Sequence, residues 1–339
     1  MNNNVVGLDI AKNVFHLYSI GAGDKVLKKK LKRQELLMFF ANYPKSLIGI
    51  EACGSAHHWA RELTKLGHQI VLLNAKYVKG FVVGNKNDFN DAAAIFDAVT
   101  RPNKRVVEVK TIEQQDIQLV HGIRQGLVEK RTALVNQMRG FLSERGIIIR
   151  QGINQVRKEL PIILEDAENN LTTLSRELFA EQYEKLAQFD EEIKKQDQRI
   201  TCLCASNELS KRYLKVPGIG PIAATIAASD IGVGKGYRNS RDYATSLGVV
   251  PKQHSSGDKA IYLGISKRGN RYIRTILIHG ARAVVKNCTK KSDPLSQWLQ
   301  SLVERRGFNK AAVALANKNA RILWTMATTG KAYEAMEKH

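Results

Sequence analysis

Four acidic residues lie where the sequence predicts the ends of secondary-structure elements. Asp9 and Glu51 each stand at or near the end of a strongly apolar run that is typical of a buried strand. Asp88 and Asp91 are three residues apart on a predicted helix and therefore share a face. Four converging carboxylates repel one another unless a cation lies between them, and such oxygen ligands suit Mg²⁺ or Mn²⁺. A cation held there can activate a nucleophile and stabilise the leaving oxygen in phosphodiester cleavage.

Each carboxylate also has an ordinary structural explanation. Asp9 suits a turn at the end of a strand, and Glu51 suits a pair with a basic neighbour. Asp88 suits the N-cap of the following helix, and Asp91 suits the positive end of the helix dipole. Taken singly, these explanations are at least as good as a metal site, but the joint placement of the four residues favours the metal site.

A Ser255-Ser256-Gly257 string lies among an unusual number of cations near the C-terminal end. A hydroxyl in that setting can attack a phosphodiester while basic side chains stabilise the developing charge. The candidate cations for nucleic-acid binding are Lys252, Lys259, Lys267, Arg268, Arg271 and Arg274. Local chemistry alone favours a plainer interpretation, a serine-rich turn beside a phosphate-binding patch, because Ser-Gly turns are common.

A second motif, Pro217-Gly218-Ile219-Gly220, precedes the apolar helix predicted over 222–228. Glycines between two short helices let backbone N–H groups approach a phosphate closely at a helix N-terminus. The pattern is typical of a helix-hairpin-helix contact to DNA or RNA, in which Gly218 and Gly220 bind the backbone. A plain helix–helix turn is the alternative.

The elements that must position the carboxylates alternate along the first third of the chain. The patterning predicts strands over 5–10, 14–20, 25–31, 46–51 and 69–73, and helices over 33–41, 56–66 and 87–100. Three strands in a row, followed by alternating helices and strands, predict a mixed sheet flanked by helices.

The middle of the chain repeats apolar residues every seven positions. One series is Val120, Leu127, Leu134 and Phe141, and the other is Phe179, Leu186, Ile193 and Ile200. Two long antiparallel helices joined across residues 146–167 would form a coiled-coil arm, suited to dimerisation. An ordinary helical bundle within one domain is the alternative.

The charge of the chain is large and unevenly distributed. Among 339 residues, 53 Lys and Arg stand against 32 Asp and Glu, which gives a formal net charge of +21. Residues 206–339 hold 23 basic and 8 acidic residues, whereas residues 101–205 hold 17 and 16. A one-sided excess suits a polyanionic partner, so we expect a nucleic-acid-facing C-terminal domain.

Composition excludes several other classes of protein. Hydrophobic residues make up 43% and charged residues 25%, as in globular proteins. No run approaches the roughly 20 apolar residues of a membrane span, the N-terminus shows no secretory pattern, and four scattered cysteines make no disulfide framework. We therefore expect a cytoplasmic, nucleoid-associated protein with no membrane partner.

Five strings in order resemble one family. They are Gly7-Leu8-Asp9-Ile10-Ala11-Lys12, Ile50-Glu51-Ala52-Cys53-Gly54-Ser55, Asn87-Asp88-Phe89-Asn90-Asp91-Ala92, Val216-Pro217-Gly218-Ile219-Gly220 and Ser255-Ser256-Gly257. Together they resemble the DEDD transposases (recombinases) of the one-ten family of insertion sequences, most closely its 1111-like subgroup. Cys53 replaces the commoner Thr of this family, which should not disturb metal binding.

The resemblance implies a fold, of α/β plus α class, and a domain order. Residues 1–111 would form a RuvC-like, ribonuclease-H-type domain that carries the tetrad. Residues 112–205 would form the coiled-coil arm. Residues 206–339 would form a mainly helical, basic transposase domain with the helix-hairpin-helix motif and the serine loop.

The resemblance also implies a mechanism. Asp9, Glu51, Asp88 and Asp91 match the family's metal-binding tetrad, with Mg²⁺ as cofactor and Mn²⁺ as an alternative. Ser256 matches the nucleophile that links covalently to DNA, although an error of one residue in the register would exchange it with Ser255. Family members pair donor and target DNA with an element-encoded guide RNA. They act as dimers of dimers, in which the tetrad of one subunit and the serine of another form a composite site.

Three other functions stay open at this point. A DNA invertase of the kind that switches pilin genes shares the catalytic pattern, and a Holliday-junction resolvase would need the tetrad but neither the serine loop nor the arm. A non-enzymatic nucleic-acid binder would explain the basic residues. It has no reason, however, to bring four anions together.

Overall fold

The computed structural model describes residues 4–83, 87–256 and 259–335, and for Ala22, Ser256, Lys259 and Ala260 it describes the backbone alone. The chain divides into two compact units. The first runs to Ile112 and includes the later segment Gly232–Arg238, and the second comprises residues 113–231 and the chain from Asn239 onward. The segment Gly232–Arg238 contacts the rest of the first unit through Val233, whose backbone N–H donates to the carboxylate of Glu108. A separate arm domain over 112–205 stays a prediction.

Six strands form one mixed sheet in the first unit, in the order β3-β2-β1-β4-β5-β6. They are β1 Asn4–Ile10, β2 Val14–Ile20, β3 Val26–Lys32, β4 Ser46–Glu51, β5 Gln69–Leu73 and β6 Val106–Val107. The first three are antiparallel neighbours, β1, β4 and β5 run parallel, and β6 is antiparallel to β5. The predicted mixed sheet is confirmed, and β6 is the strand of this sheet that the sequence pattern did not predict.

Helices cover both faces of this sheet. The helices of the first unit are α1 Leu36–Ala41, α2 Ala56–Lys65, α3 Ala75–Val78 and α4 Asp88–Thr100. Alternate strand residues such as Leu8 and Ile50 are fully buried against α1 and α2. Residues of the opposite parity, such as Val5 and Leu47, pack against α4. The position of α4 therefore determines which side chains lie above the face of the sheet that carries Val5 and Leu47.

Two glycines let α4 lie unusually close to the sheet. A Cβ atom on Gly7 would come within 2.1 Å of the carbonyl oxygen of Ala92, and one on Gly49 within 2.8 Å of the Val99 Cβ atom. Real Cβ atoms do not approach that closely, so a larger residue at either position would push the helix away from the sheet. The close approach of helix and strands fixes the first turn of α4 above the ends of β1 and β4.

Two long antiparallel helices follow in the second unit, with a shorter helix between them. They are α5 Ile112–Ser143, α6 Ile153–Glu165 and α7 Thr173–Ser206. Arg124 pairs with Asp197, and Arg131 donates to Asp190 over 2.8 Å. The second pair therefore lies seven residues later on α5 and seven residues earlier on α7. The pairing has the antiparallel heptad spacing that the sequence predicts.

The apolar seam of α5 differs from the predicted one at its far end. Leu127 and Leu134 are buried as predicted, but Phe141 is 56% exposed and Met138 and Leu142 are buried in its place. An α-helix turns every 3.6 residues, so a strict seven-residue spacing drifts around the helix until neighbouring positions take over the seam. The unpredicted α6 adds Val156 and Leu160 to the same core.

The rest of the second unit is mainly helical. Its elements are α8 Glu208–Tyr213, α9 Pro221–Ile231, α10 Ser240–Ser246, β7 Pro251–Ser256, β8 Lys259–Ile265, α11 Arg271–Lys286, α12 Pro294–Arg306 and α13 Phe308–Thr329. The helix α9 is apolar nearly all round and is buried, as its composition requires. Strands β7 and β8 form a two-stranded antiparallel hairpin, which the patterning did not predict.

Candidate active site

Asp9 and Glu51 lie side by side at the carboxyl ends of two neighbouring parallel strands. The register of β1 and β4 pairs Gly7 with Gly49 and continues to Leu8 with Ile50, so the two acidic residues occupy the next aligned positions. Successive strand residues alternate between faces, and both glycines face α4. Both carboxylates therefore lie on the face of the sheet that α4 covers.

Asp88 and Asp91 lie on helix α4, which covers the same face of the sheet. The side chain of Asn87 accepts a hydrogen bond from the backbone N–H of Phe89 over 2.9 Å and thereby caps α4. Both aspartates fall in the first turn of α4, whose unpaired N–H groups favour negative charge. N-capping therefore belongs to Asn87, and the alternative in which Asp88 serves as the cap is wrong.

The electrostatics agree with carboxylates that lie near one another. Burial raises the pKa of the Asp9 carboxyl, and the charges of Asp91 and Asp88 raise it further. Burial also raises the pKa of Glu51, with added repulsion from Asp9 and Asp91. The thiol of Cys53 has a raised pKa for the same reasons, burial first and then the charges of Glu51 and Asp9. The charges of the four predicted acidic residues thus act on one another, and the ligand atoms that lie within 4.8 Å of one another are those of Asp9, Asp88 and His16.

His16 belongs to this cluster, although the sequence did not single it out. It lies directly opposite Asp9 in the β1–β2 register, and its Nδ1 atom is 3.6 Å from the Oδ2 atom of Asp88. The side chain is 6% exposed and packs edge-on against the ring of Phe89 at a centroid distance of 4.8 Å. The signal that could have found it is the short turn between β1 and β2, which sets the register.

The cluster offers the donors that a divalent cation requires. One ligand atom each from Asp9, His16 and Asp88 lies within 4.8 Å of the other two. Carboxylate oxygens suit hard cations such as Mg²⁺ and Mn²⁺, and the mutual repulsion of the acidic groups falls when a cation lies between them. Within the residues that the structure describes, the Nδ1 atom of His16 is buried without a hydrogen-bond partner, which also fits a bound cation.

The serine string forms the end of a β-hairpin. Ser255 pairs with Ala260 and Ser256 with Lys259, while Gly257 lies outside the described residues. The backbone of Ser256 ends β7, and its side chain lies outside the description. The Oγ atom of Ser255 accepts a hydrogen bond from the Nε2 atom of Gln253 over 2.7 Å. The nucleophile therefore stays a prediction, with Ser255 already engaged by a neighbour.

The predicted cations lie around this hairpin and the start of α11. Lys252, Lys267, Arg268 and Arg271 are exposed, and the side chain of Lys259 lies outside the description. Arg274 differs, because it is 8% exposed and donates to the backbone carbonyls of Leu247 and Arg268. Arg274 holds the loop before α11 in place, and its burial does not support the predicted contact with nucleic acid.

The glycine motif joins α8 to α9 as predicted, but its two glycines differ. Gly218 has φ +85°, and a Cβ atom there would lie 2.9 Å from the carbonyl oxygen of Gly280 in α11. Gly218 is therefore required for the turn and for the close approach of α11. Gly220 is exposed and has nothing within 4 Å of a Cβ atom, so it is the better candidate for a phosphate contact.

Within the described part of the chain, no helix combines the length and apolar character needed to cross a membrane. The wall of one cavity of about 580 Å³ in the second unit combines apolar, polar and basic side chains, and it includes Trp298, Lys318, Arg321 and Tyr333. The Nζ atom of Lys318 lies 5.2 Å from the centroid of the Trp298 ring.

Comparisons with known proteins agree with the resemblance. Residues 6–146 match a DEDD transposase family of IS110 type, and residues 210–297 match the family described as "Transposase IS116/IS110/IS902 family". The chain is 43% identical to a probable family 20 transposase of Pseudomonas aeruginosa over 98% of this chain and 99% of that protein. It is 41% identical to the transposase for insertion sequence element IS1111A of Coxiella burnetii, over 97% and 91%, and 37% identical to that for IS1328 of Yersinia enterocolitica, over 98% and 99%. The chain therefore belongs to the IS110 family of insertion-sequence transposases, enzymes that recombine DNA.

Proposed function

We propose that this transposase cuts and rejoins DNA through a covalent phosphoserine linkage, with Asp9, Glu51, Asp88 and Asp91 holding Mg²⁺ and Ser256 acting as nucleophile. The observation that carries the proposal is the cluster of four carboxylates at one edge of the sheet, where burial and mutual repulsion raise the pKa values of Asp9 and Glu51. A mixed sheet that begins with three antiparallel strands and continues with parallel ones also supports a ribonuclease-H-type, RuvC-like domain.

The chain's own residues account for most of the chemistry. A divalent cation bound by the tetrad would activate the attacking oxygen and stabilise the leaving oxygen of the phosphodiester. The Oγ atom of Ser256 forms a bond to phosphorus as the bond from phosphorus to the adjoining nucleoside oxygen breaks, and the freed hydroxyl receives the serine proton. Attack by another DNA hydroxyl reverses these changes and releases the serine. Basic side chains around the hairpin stabilise the developing charge.

The proposed metal dependence has a direct test. We expect the purified protein with the element's guide RNA to cleave and join DNA that carries the element's ends in Mg²⁺ or Mn²⁺. It should lose all detectable product in EDTA, because the cation supplies several kcal/mol of transition-state stabilisation. Binding of the same DNA, measured by gel shift, should survive in EDTA. Undiminished joining without divalent cations would overturn the metal site while leaving the family assignment intact.

The basic C-terminal part of the chain supports DNA and a guide RNA as partners. Residues 206–339 carry the excess of 23 basic over 8 acidic residues. Lys252, Lys267, Arg268 and Arg271 are exposed near the serine hairpin. Phosphate backbones of DNA and RNA present the same negative charge to such a surface.

Charge removal at this surface should weaken binding in a salt-dependent way. We expect the triple variant Lys267→Gln, Arg268→Gln, Arg271→Gln to flatten the log–log slope of affinity against salt by about 0.9 for each duplex-DNA phosphate that the protein no longer neutralises. Fluorescence anisotropy of the full-length protein at several salt concentrations measures the slope.

Three exposed lysines of the arm, Lys130, Lys185 and Lys195, provide the matched control. Their replacement by Gln removes the same charge from a nearly neutral part of the chain, so the slope should stay as in the unmodified protein. Equal flattening in both triple variants would show a diffuse effect of net charge in place of a defined surface.

The helical arm supports self-association. Several apolar side chains of α5 and α7 stay exposed in the single chain: Phe141 at 56%, Leu174 at 64% and Leu178 at 49%. Such side chains suit a protein–protein contact. We propose homodimers or homotetramers formed through the arm, in which one subunit contributes the tetrad and another the serine.

A further inference from the structure

We propose that His16 is a fifth protein ligand, which supplies a nitrogen to the cation held by the four carboxylates. This inference rests on the metal site of the proposed function and deepens it. It concerns a residue outside the acidic tetrad, and it predicts which cation the site prefers.

The backbone places the imidazole at the site independently of the helix. His16 is the direct partner of Asp9 across β1 and β2, and directly opposed residues of an antiparallel pair point to the same face. One nitrogen of His16 and one oxygen each of Asp9 and Asp88 lie within 4.8 Å of one another. These three side chains come from two strands and a helix, so the fold itself brings them together.

The distance between His16 and Asp88 suits two ligands of one ion better than a hydrogen bond. The Nδ1 and Oδ2 atoms are 3.6 Å apart, beyond the length of a hydrogen bond. Adjacent ligands about 2.1 Å from an octahedral cation lie about 3 Å apart, and opposite ligands lie about 4.2 Å apart. The observed separation lies between these two values, so both atoms can reach one ion.

Apart from the Asp88 carboxylate at 3.6 Å, no group within the described residues partners the Nδ1 atom. It is buried and has no hydrogen bond, in a side chain that is only 6% exposed. The edge-on contact with Phe89 holds the ring in place. A buried polar atom aimed at an acidic cluster is the arrangement that a coordinated cation would satisfy.

A nitrogen ligand changes which metal ion the site prefers. Imidazole binds Mn²⁺ and later transition metals better than it binds Mg²⁺, which prefers oxygen and water. A site of four carboxylates alone would favour Mn²⁺ less. We therefore infer that His16 sets the ratio of Mn²⁺ to Mg²⁺ affinity.

The test uses Mn²⁺ as a spectroscopic probe on the full-length protein. We expect electron spin echo modulation from a directly bound ¹⁴N nucleus, replaced by a ¹⁵N signal when histidine alone is ¹⁵N-labelled, and absent in His16→Asn. Calorimetric titration should show at least a tenfold loss of Mn²⁺ affinity in His16→Asn and a smaller loss for Mg²⁺.

His58→Gln is the matched control, because His58 is exposed on α2, on the other side of the sheet, and should leave both readouts unchanged. Isotope labelling keeps the test valid even if His16→Asn folds poorly. Mn²⁺ binding without nitrogen modulation in the unmodified protein would overturn the role of His16 and leave the carboxylate site standing. Failure to bind Mn²⁺ at all would overturn the proposed metal site itself.

Discussion

Asp9→Asn should abolish strand transfer while leaving nucleic-acid binding intact. Burial and two neighbouring carboxylates raise the pKa of Asp9, and the strand registers place it beside both Glu51 and His16. Replacing its negative charge with an amide of the same shape removes the proposed metal ligand but no volume. Loss of about 4 kcal/mol of transition-state stabilisation corresponds to about a thousandfold fall in rate.

Single-turnover cleavage of DNA carrying the element's ends, in Mg²⁺ and with the guide RNA present, measures this loss. Asp97→Asn is the control, because Asp97 is exposed on the same helix α4, beyond the first-turn aspartates, and should keep full activity. DNA affinity of Asp9→Asn should be unchanged or slightly higher, since a negative charge has been removed from a phosphate-binding protein. Cleavage by Asp9→Asn at the unmodified rate would refute the metal role of the tetrad.

The strands and the acidic cluster could be predicted because the information is local. A buried strand needs a short apolar run, and parallel strands place their carboxyl ends at one edge of the sheet. Asp9 and Glu51 could therefore be placed together before any register was known. The spacing of Asp88 and Asp91 fixed a shared helical face in the same way.

His16 escaped prediction because its position depends on pairing between strands, which only the short turn between β1 and β2 indicates. A histidine within the apolar run of β2 is typical of an ordinary core residue until the register sets it opposite Asp9. The close approach of α4 is equally non-local, since it depends on Gly7 and Gly49 lying beneath that helix. Neither the position of His16 nor the close approach of α4 can be inferred from the sequence of one strand or helix alone.

Two features of the second unit also depend on more than residue type. The β7 strand contains Lys252, His254 and two serines, and such polar residues carry little of the β-branched and aromatic signal that marks strands. Arg274 was a candidate phosphate ligand because the sequence shows only its charge. In the structure its guanidinium donates hydrogen bonds to backbone carbonyls. Charge predicts a binding surface only where the fold leaves the side chain exposed.

Ser256→Ala should remove both cleavage and the protein–DNA adduct. In the proposed mechanism this hydroxyl forms the covalent bond to phosphorus, so its removal leaves no route to the intermediate. Loss of the nucleophile in serine hydrolases lowers turnover by on the order of 10⁶. A denaturing gel of radiolabelled DNA after reaction in Mg²⁺ measures the adduct, and loss of labelled protein is the expected result.

Ser255→Ala separates the two neighbouring serines. Its Oγ atom accepts a hydrogen bond from Gln253, so the variant removes one exposed hydrogen bond from the hairpin and should retain cleavage. An adduct that persists in Ser256→Ala and disappears in Ser255→Ala would assign the nucleophile to Ser255. Absence of the adduct in both variants would point to a damaged hairpin, which circular dichroism and DNA affinity would reveal.

Mixing Asp9→Asn with Ser256→Ala tests whether one active site is shared between subunits. Asp9 and Ser256 belong to different compact units of the chain, and serine is a weak nucleophile unless a cation or base is near it. If one subunit supplies the tetrad and another the serine, a mixed oligomer contains a site with both groups intact, and partial activity should return. If each subunit uses its own groups, every site in the mixture lacks one of them and no activity returns. Replacing exposed Phe141 and Leu178 of the arm with Ser should then abolish the rescue, because the exchange of groups requires the oligomer.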